Sequence, residues 1–258
     1  MDTLALSRLQ QLAEQDLKTF ALEFANVEVR YGDNPVLRDI QLQLEPSRWI
    51  ALVGPNASGK STLLRCGAGQ LGPARGQVRV QDTSLYPTPE GLALPHLAVA
   101  PEVLPAFLSM RQCLQIHADA HDIDAVPAES EQLVQQLGMA RHLDTFVGAC
   151  SLGTRQKLSL VLALMTRPRV LLLDEVFNGL DAASALFLKN ELRERVTQGM
   201  SILLATHALD LVARHCDGLA LLEGGTIVRQ WDADALRALG GTEALEQALA
   251  AASRAADS

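Results

Sequence analysis

The sequence predicts an α/β fold: a phosphate-loop core with an antiparallel β subdomain before it and a helical subdomain inserted into it. Three observations predict this class. Residues 54 to 61 read Gly-Pro-Asn-Ala-Ser-Gly-Lys-Ser, between the apolar run Trp49 to Val53 and the helix-forming Thr62-Leu63-Leu64-Arg65, so strand, glycine loop and helix occur in the order that a phosphate-binding unit needs. Apolar residues recur with period two before that unit. Beyond it, strands alternating with helices flank a helical block, the pattern of an α/β core carrying an insertion.

Each element follows from its local pattern. Leu4, Leu6, Leu9, Leu12 and Leu17 have helical spacing, which predicts a short amphipathic helix in an N-terminal extension of residues 1–20. Leu22 and Phe24 alternate, then, after a slip, Val27 and Val29. Ile40, Leu42 and Leu44 do the same beyond the turn Tyr31-Gly32-Asp33-Asn34-Pro35, so two antiparallel strands are expected. Gly72-Pro73-Ala74-Arg75-Gly76 breaks the chain before a short strand around Val78 and Val80, and Leu97 to Ala100 reads as a strand ended by Pro101. Helices are expected near Leu108 to Ala118, Glu129 to Leu137 and Thr154 to Thr166. Strands return at Val170 to Leu173, Ile202 to Ala205 and Leu219 to Leu222, with a helix near Ala182 to Val196. The main domain is placed at residues 21–230, its helical subdomain at about 103–168, and an Ala-rich helical tail at 231–258.

Composition narrows the function. The chain has 258 residues, 48% hydrophobic and 20% charged, which is globular rather than disordered, and a net charge of -8, which argues against a surface devoted to nucleic acid. No run approaches the ~18 apolar residues of a membrane span: Leu158 to Leu173 is cut by Thr166-Arg167-Pro168-Arg169. Met1 to Phe20 carries Asp2, Glu14 and Asp16 without a continuous apolar stretch, so no secretory leader is expected. Cys66, Cys113, Cys150 and Cys216 are widely spaced and form no Cys-x-x-Cys pair, which points to separate thiols rather than a metal site or disulfide frame.

The glycine loop has a definite chemistry. Gly54 and Gly59 lack a Cβ, so the loop through Asn56, Ala57 and Ser58 turns its amides inward around phosphate, while the helix entered at Thr62 offers its positive N-terminus. Lys60 adds a charge toward the β- and γ-phosphates, and Ser61 is placed to ligate Mg²⁺. Val170 to Asp174-Glu175 is an apolar strand ending in two carboxylates. A buried parallel strand delivers that end to the ligand crevice, so Asp174 is expected at the metal and Glu175 at an attacking water.

With those residues in hand, the chain from about Leu22 to Arg229 resembles the ATP-binding subunits of ABC transporters. The resemblance implies a RecA-like core and assigns the motifs in order. Tyr31 matches the aromatic residue that stacks on adenine, Gly54 to Thr62 the Walker A loop, and Leu171 to Glu175 the Walker B strand with its glutamate. Ser151-Leu152-Gly153-Thr154-Arg155-Gln156 stands where the family has its signature, Asn178-Gly179-Leu180-Asp181 looks like the D-loop, and Thr206-His207 like the switch histidine. Ser151 and the amides near Gly153 begin a predicted helix, so they form a second anion-binding surface. The family uses that surface in trans, closing it on ATP held by a second subunit. The resemblance therefore implies a dimer, most simply a homodimer, that hydrolyses ATP with Mg²⁺. It also implies an integral-membrane transporter subunit as partner, which would hold this chain on the cytoplasmic face of the cell membrane.

Several positions depart from the family pattern. Ala100-Pro101-Glu102 stands where a glutamine reaches Mg²⁺ and the attacking water. Glu102 is a hard oxygen ligand and adds a third negative charge near Asp174 and Glu175, so turnover is expected to persist with altered pH or metal dependence. Leu152 and Thr154 replace a glycine and a glutamine of the signature, and Val176 replaces a proline, which is expected to loosen the turn into Phe177-Asn178. The single short chain and the Phe177 to Asp181 stretch look more like exporter than importer subunits. The alternative is a soluble ABC-type ATPase acting on nucleic acid or ribosomes, disfavoured by a single cassette and an acidic balance. A phosphate-loop kinase or GTPase is disfavoured by Ser151 and His207.

Overall fold

The slip in the first apolar alternation is a β-bulge. In the computed structural model, which describes residues 19–256, β1 (Leu22–Tyr31) pairs antiparallel with β2 (Asn34–Leu44), from Leu22 opposite Leu44 to Tyr31 opposite Asn34. The register shifts between Phe24 and Val27, where Asn26 takes φ +52°, and this returns Val27 and Val29 to the buried face. The helix expected within residues 3–18 lies outside the described residues. β4 (Arg75–Val80) covers the other edge of β1. It comes so close there that a Cβ on Gly76 would lie 2.2 Å from the Asn26 carbonyl. With β5 (Thr83–Ser84) these strands make one sheet in the order β2-β1-β4-β5.

A second sheet carries the core. Its strands are β3 (Trp49–Val53), β6 (His96–Leu97), β7 (Val170–Asp174), β8 (Ser201–Ala205), β9 (Gly218–Glu223) and β10 (Thr226–Trp231), ordered β10-β9-β3-β8-β7-β6. From β9 through β6 all neighbours are parallel, so their carboxyl ends share one edge of the sheet. Such strands are buried on both faces, which is why they read as unbroken apolar runs. In β7, Val170 and Leu172 pack toward the first sheet and Leu171 and Leu173 toward the helices. Each buried leucine there contributes about 1.5–3 kcal/mol.

Between the sheets lies α1 (Lys60–Gly67), which buries Leu63, Leu64 and Cys66 against Phe24 and Leu172. The helical block is α2 (Met110–Ala120), α3 (Ala128–Gln136) and α4 (Leu152–Met165), followed by α5 (Ala182–Thr197), all on the opposite face of the parallel sheet. Two caps set its ends. Ser109 and Gln112 form a reciprocal capping box at α2, and Asp181 accepts the Ser184 N–H at 2.8 Å to start α5. α6 (Leu209–His215), α7 (Ala233–Ala238) and α8 (Thr242–Ala256) close the far end with Trp231 and Leu245.

Two sequence expectations need correction. The strand expected over Leu97 to Ala100 is only His96–Leu97, because Ala98 N–H makes a last bond to the Leu172 carbonyl and the chain then turns through Ala100 to Val103. β10 was not anticipated. It follows the Gly224-Gly225 turn, whose positive φ values of +54° and +81° make a hairpin with β9. The tail beyond Trp231 is helical, as the Ala-rich sequence predicts, and is divided into two helices at Gly240-Gly241.

Candidate active site

The parallel sheet brings three loops to one edge, those following β3, β7 and β8. The first is the glycine loop. A Cβ on Gly54 would lie 2.0 Å from the Leu222 carbonyl, and one on Gly59, at φ +109°, 2.6 Å from Leu37 Cδ2, so both positions need glycine for close approach. Leu37 belongs to β2, which is how the β1–β2 hairpin leans on the loop. Ala57 takes φ +62°, and Ser58 is buried with its Oγ lacking any partner. An orphaned hydroxyl in a glycine cradle at the start of a helix fits a bound phosphate chain.

Lys60 is buried, and its ammonium donates to the Gly54 carbonyl at 2.8 Å and the Pro55 carbonyl at 3.1 Å. Burial lowers its pKa, opposed by the charges of Glu175 and Asp174. His207, from the loop after β8, holds the centre: its Nε2 lies 3.1 Å from Asn56 Oδ1, 3.3 Å from Glu175 Oε1 and 3.4 Å from Lys60 Nζ. One ring nitrogen cannot serve all three. If protonated it donates to an oxygen, and if bare it accepts from the ammonium.

Glu175 is held from several sides. Its N–H bonds the Ala205 carbonyl at 3.0 Å, extending the β7–β8 ladder, and its φ of +51° turns the chain sharply out of the strand. Such a conformation costs a non-glycine residue about 1 kcal/mol or more and persists only where its surroundings impose it. Asn178 supplies that restraint: its N–H closes the turn onto the Glu175 carbonyl at 3.1 Å and its amide donates to Glu175 Oε2 at 3.2 Å. Val176 is buried beneath this turn. Asn178 was named in the sequence only as part of a motif. Its position three residues after Glu175 in an Asn-Gly turn is the signal that would have found its contact.

Ser61, Asp174, Glu175 and Glu102 line one cleft of about 660 Å³ between the sheet edge and the helical block, with Glu102 exposed on its wall and Gln156 buried at its back. Thr62 follows in the first turn of α1. Ser151 is elsewhere. It caps α4 by accepting the Thr154 N–H at 3.2 Å, is exposed, and does not line the cleft. Gly153 packs so tightly on the turn after β7 that a Cβ would lie 2.5 Å from the Gly179 carbonyl. Tyr31 is 47% exposed at the tip of the β1–β2 hairpin and is not part of the His207 cluster. The structure therefore brings together Asn56, Lys60, Glu175 and His207 by contact, and Ser61, Asp174 and Glu102 by a shared cleft. Tyr31, Ser151 and Gly153 stand apart from both.

A family model for the ABC transporter matches residues 37–178, more than half of the chain. The chain belongs to the ABC transporter family. This ABC subunit is 30% identical over 201 residues to the ABC-type transporter ATP-binding protein EcsA of Bacillus subtilis, covering 76% of this chain and 81% of that one. It is 29% identical to the Nod factor export ATP-binding protein I of Rhizobium etli, covering 81% and 67%, and 29% identical to a putative 2-aminoethylphosphonate import ATP-binding protein of Salmonella choleraesuis, covering 84% and 60%. Among solved structures it superposes on the ATP-binding subunit of an ABC transporter with a TM-score of 0.78, at 28% identity, covering 89% of this chain and 99% of that one. It is thus an ATP-binding subunit of a transporter and, as a member of this family, an ATPase. Among the described residues no helix is long and apolar enough to cross a membrane.

Proposed function

We propose that this ABC ATPase powers an exporter, working as a dimer in which the Ser151 signature of one subunit closes on ATP held by the phosphate loop of the other. The observation that carries the reading is the convergence of Asn56, Lys60 and Glu175 on His207 Nε2 within 3.4 Å. Glu175 orients and deprotonates the attacking water, His207 contacts the γ-phosphate, and Tyr31 stacks on the base. Ser61 and Asp174 are oxygen donors on one cleft, a set that suits Mg²⁺, and Glu102 adds a third. Among the described residues no three His, Cys, Asp or Glu side chains form a metal cage by themselves. That fits an ion completed by phosphate and water, which when bound neutralises phosphate charge.

Support for a membrane partner comes from the surface beside Glu102, where Val103, Phe107 and Phe146 are 70%, 78% and 59% exposed. The segments of Phe107 and Phe146 adjoin through the Val147 N–H to Leu108 carbonyl bond, so these exposed apolar side chains sit on neighbouring stretches of chain. The partner would seat there, pressing on a helical subdomain of residues 103–168 and holding this subunit on the cytoplasmic side of the membrane. The Nod factor export relatives favour outward transport. Reconstitution in vesicles with the cognate membrane subunit would settle the direction, and inward flux would overturn the exporter reading.

The enzymatic assignment is tested by Glu175→Gln. The variant should bind ATP with unchanged affinity, hydrolyse it ~10²-fold or more slowly, and sediment as an ATP-dependent dimer. Hydrolysis at the parental rate would remove Glu175 from its role.

A further inference from the structure

Away from the phosphate site, three histidines meet where the helical block joins the sheet. His96 lies on β6 opposite Leu171, His117 in the last turn of α2, and His121 at the end of the same helix. Their ring centroids are 6.0 Å (His96–His117), 6.0 Å (His96–His121) and 4.5 Å (His117–His121) apart. The end of α4 completes the joint. The Thr166 hydroxyl lies 3.3 Å from His96 Nδ1 and donates to the Ala163 carbonyl at 3.1 Å, so the imidazole is the donor between them, and the Leu162 carbonyl faces His117. His117 Nε2 is buried without a partner.

Around His96 and His117, the two buried members, no carboxylate offsets positive charge, and the Leu162 carbonyl is the one group that favours it at His117. The ionisable groups bearing on His96 are His117 and His121, and the one bearing on His117 is His121; no carboxylate is among them. Among the described residues no such trio is arranged to hold a metal ion. The ligand this cluster can take up is the proton.

We propose that the three imidazoles form an acid-sensitive joint: at neutral pH they let α2 close onto β6 and the end of α4, and acidification charges the buried His96 and His117 and releases α2 from the sheet. The release reaches further because the joint is shared. α4 begins at Ser151, and β6 runs into the Glu102 loop, where the Ser159 hydroxyl of α4 donates to the Val99 carbonyl. Acid thus loosens the signature and the Glu102 wall while the glycine loop, across the sheet, keeps its geometry.

Burial, then His117 and His121, hold His96 down at about 4 against the usual 6.5, and burial then His121 lower His117. The closed form therefore binds fewer protons than the open form between those values. Closure is fully stable above pH 6.5 and loses stability as pH falls through the window toward 4. From His96 alone, linkage raises the opening constant about 30-fold between pH 7.5 and pH 5.

The test is hydrogen exchange of the full chain without nucleotide at both pH values, corrected for intrinsic rates. Amides of Met110–Ala120 should open about 30-fold more at pH 5, with those of α1 changing less than twofold. His121→Gln, at an exposed position, should cut the acceleration at least twofold, and the variant carrying His96→Asn, His117→Gln and His121→Gln should abolish it. An acid response unchanged in His121→Gln, or spread equally over α1, would overturn the proposal. So would micromolar zinc slowing α2 opening at pH 7.5 in the parent but not in the triple variant, which would make the ligand a metal.

Discussion

The phosphate-loop half and the signature half of this ABC subunit are built in opposite ways. Lys60 is buried, bonded to two loop carbonyls and faced by His207, which is itself shared with Asn56 and Glu175. Ser151 is exposed, and among the described residues its hydroxyl bonds only to the backbone and hydroxyl of Thr154, within its own helix turn. A buried ammonium must be surrounded by acceptors and countercharge, so that half is completed within one chain. An exposed cap is stable without a further partner and leaves its anion-binding face available to one. The asymmetry suits the proposed site divided between two subunits, with rigidity at the glycine loop and accessibility at Ser151.

Three substitutions break or sharpen this comparison. Gly54→Ala should have the largest effect, because its Cβ would meet the Leu222 carbonyl at 2.0 Å, which is backbone and cannot yield cheaply. ATP affinity of the isolated subunit should fall ~10²-fold or more by calorimetry, about 3 kcal/mol. Gly153→Ala places a Cβ 2.5 Å from the Gly179 carbonyl, so it should disturb the signature and the Asn178 turn together. Turnover is expected to drop about tenfold, about 1.4 kcal/mol, with ATP affinity of the isolated subunit retained. If affinity fell as much as turnover, the two halves would not be separable. Ser151→Ala should be mildest for the fold, costing about 1 kcal/mol in a urea melt through loss of the α4 cap. ATP-driven dimerisation should still weaken measurably by sedimentation, and a dimer as tight as the parent's would reduce Ser151 to a cap alone.

Much of the core was legible because local rules and global fold agree there. A strand, a glycine loop and a helix are adjacent in sequence and remain adjacent in space, and runs such as Val170 to Leu173 are apolar because both faces are buried. The helix at Ala182 to Val196 is found at Ala182–Thr197, with Asp181 as its cap. Legibility failed where a partner distant in the chain sets the outcome. β6 is short because only Leu97 and its neighbours reach the distant β7, whereas β10 is set locally, by the diglycine turn that folds it back on β9.

By itself the sequence determined the chemistry on offer: a phosphate-gripping loop, paired carboxylates, a helix-capping serine and the order in which they occur. Backbone freedom at glycine, apolar periodicity and side-chain charge are local properties, so they can be read along the chain. The tertiary structure alone decided which groups meet. It put His207 against Lys60 across 147 residues of sequence, pressed Gly153 onto Gly179, and gathered His96, His117 and His121 at one joint. Those contacts depend on strand order and crossover packing, which arise from burying the whole sheet at once rather than from any one segment.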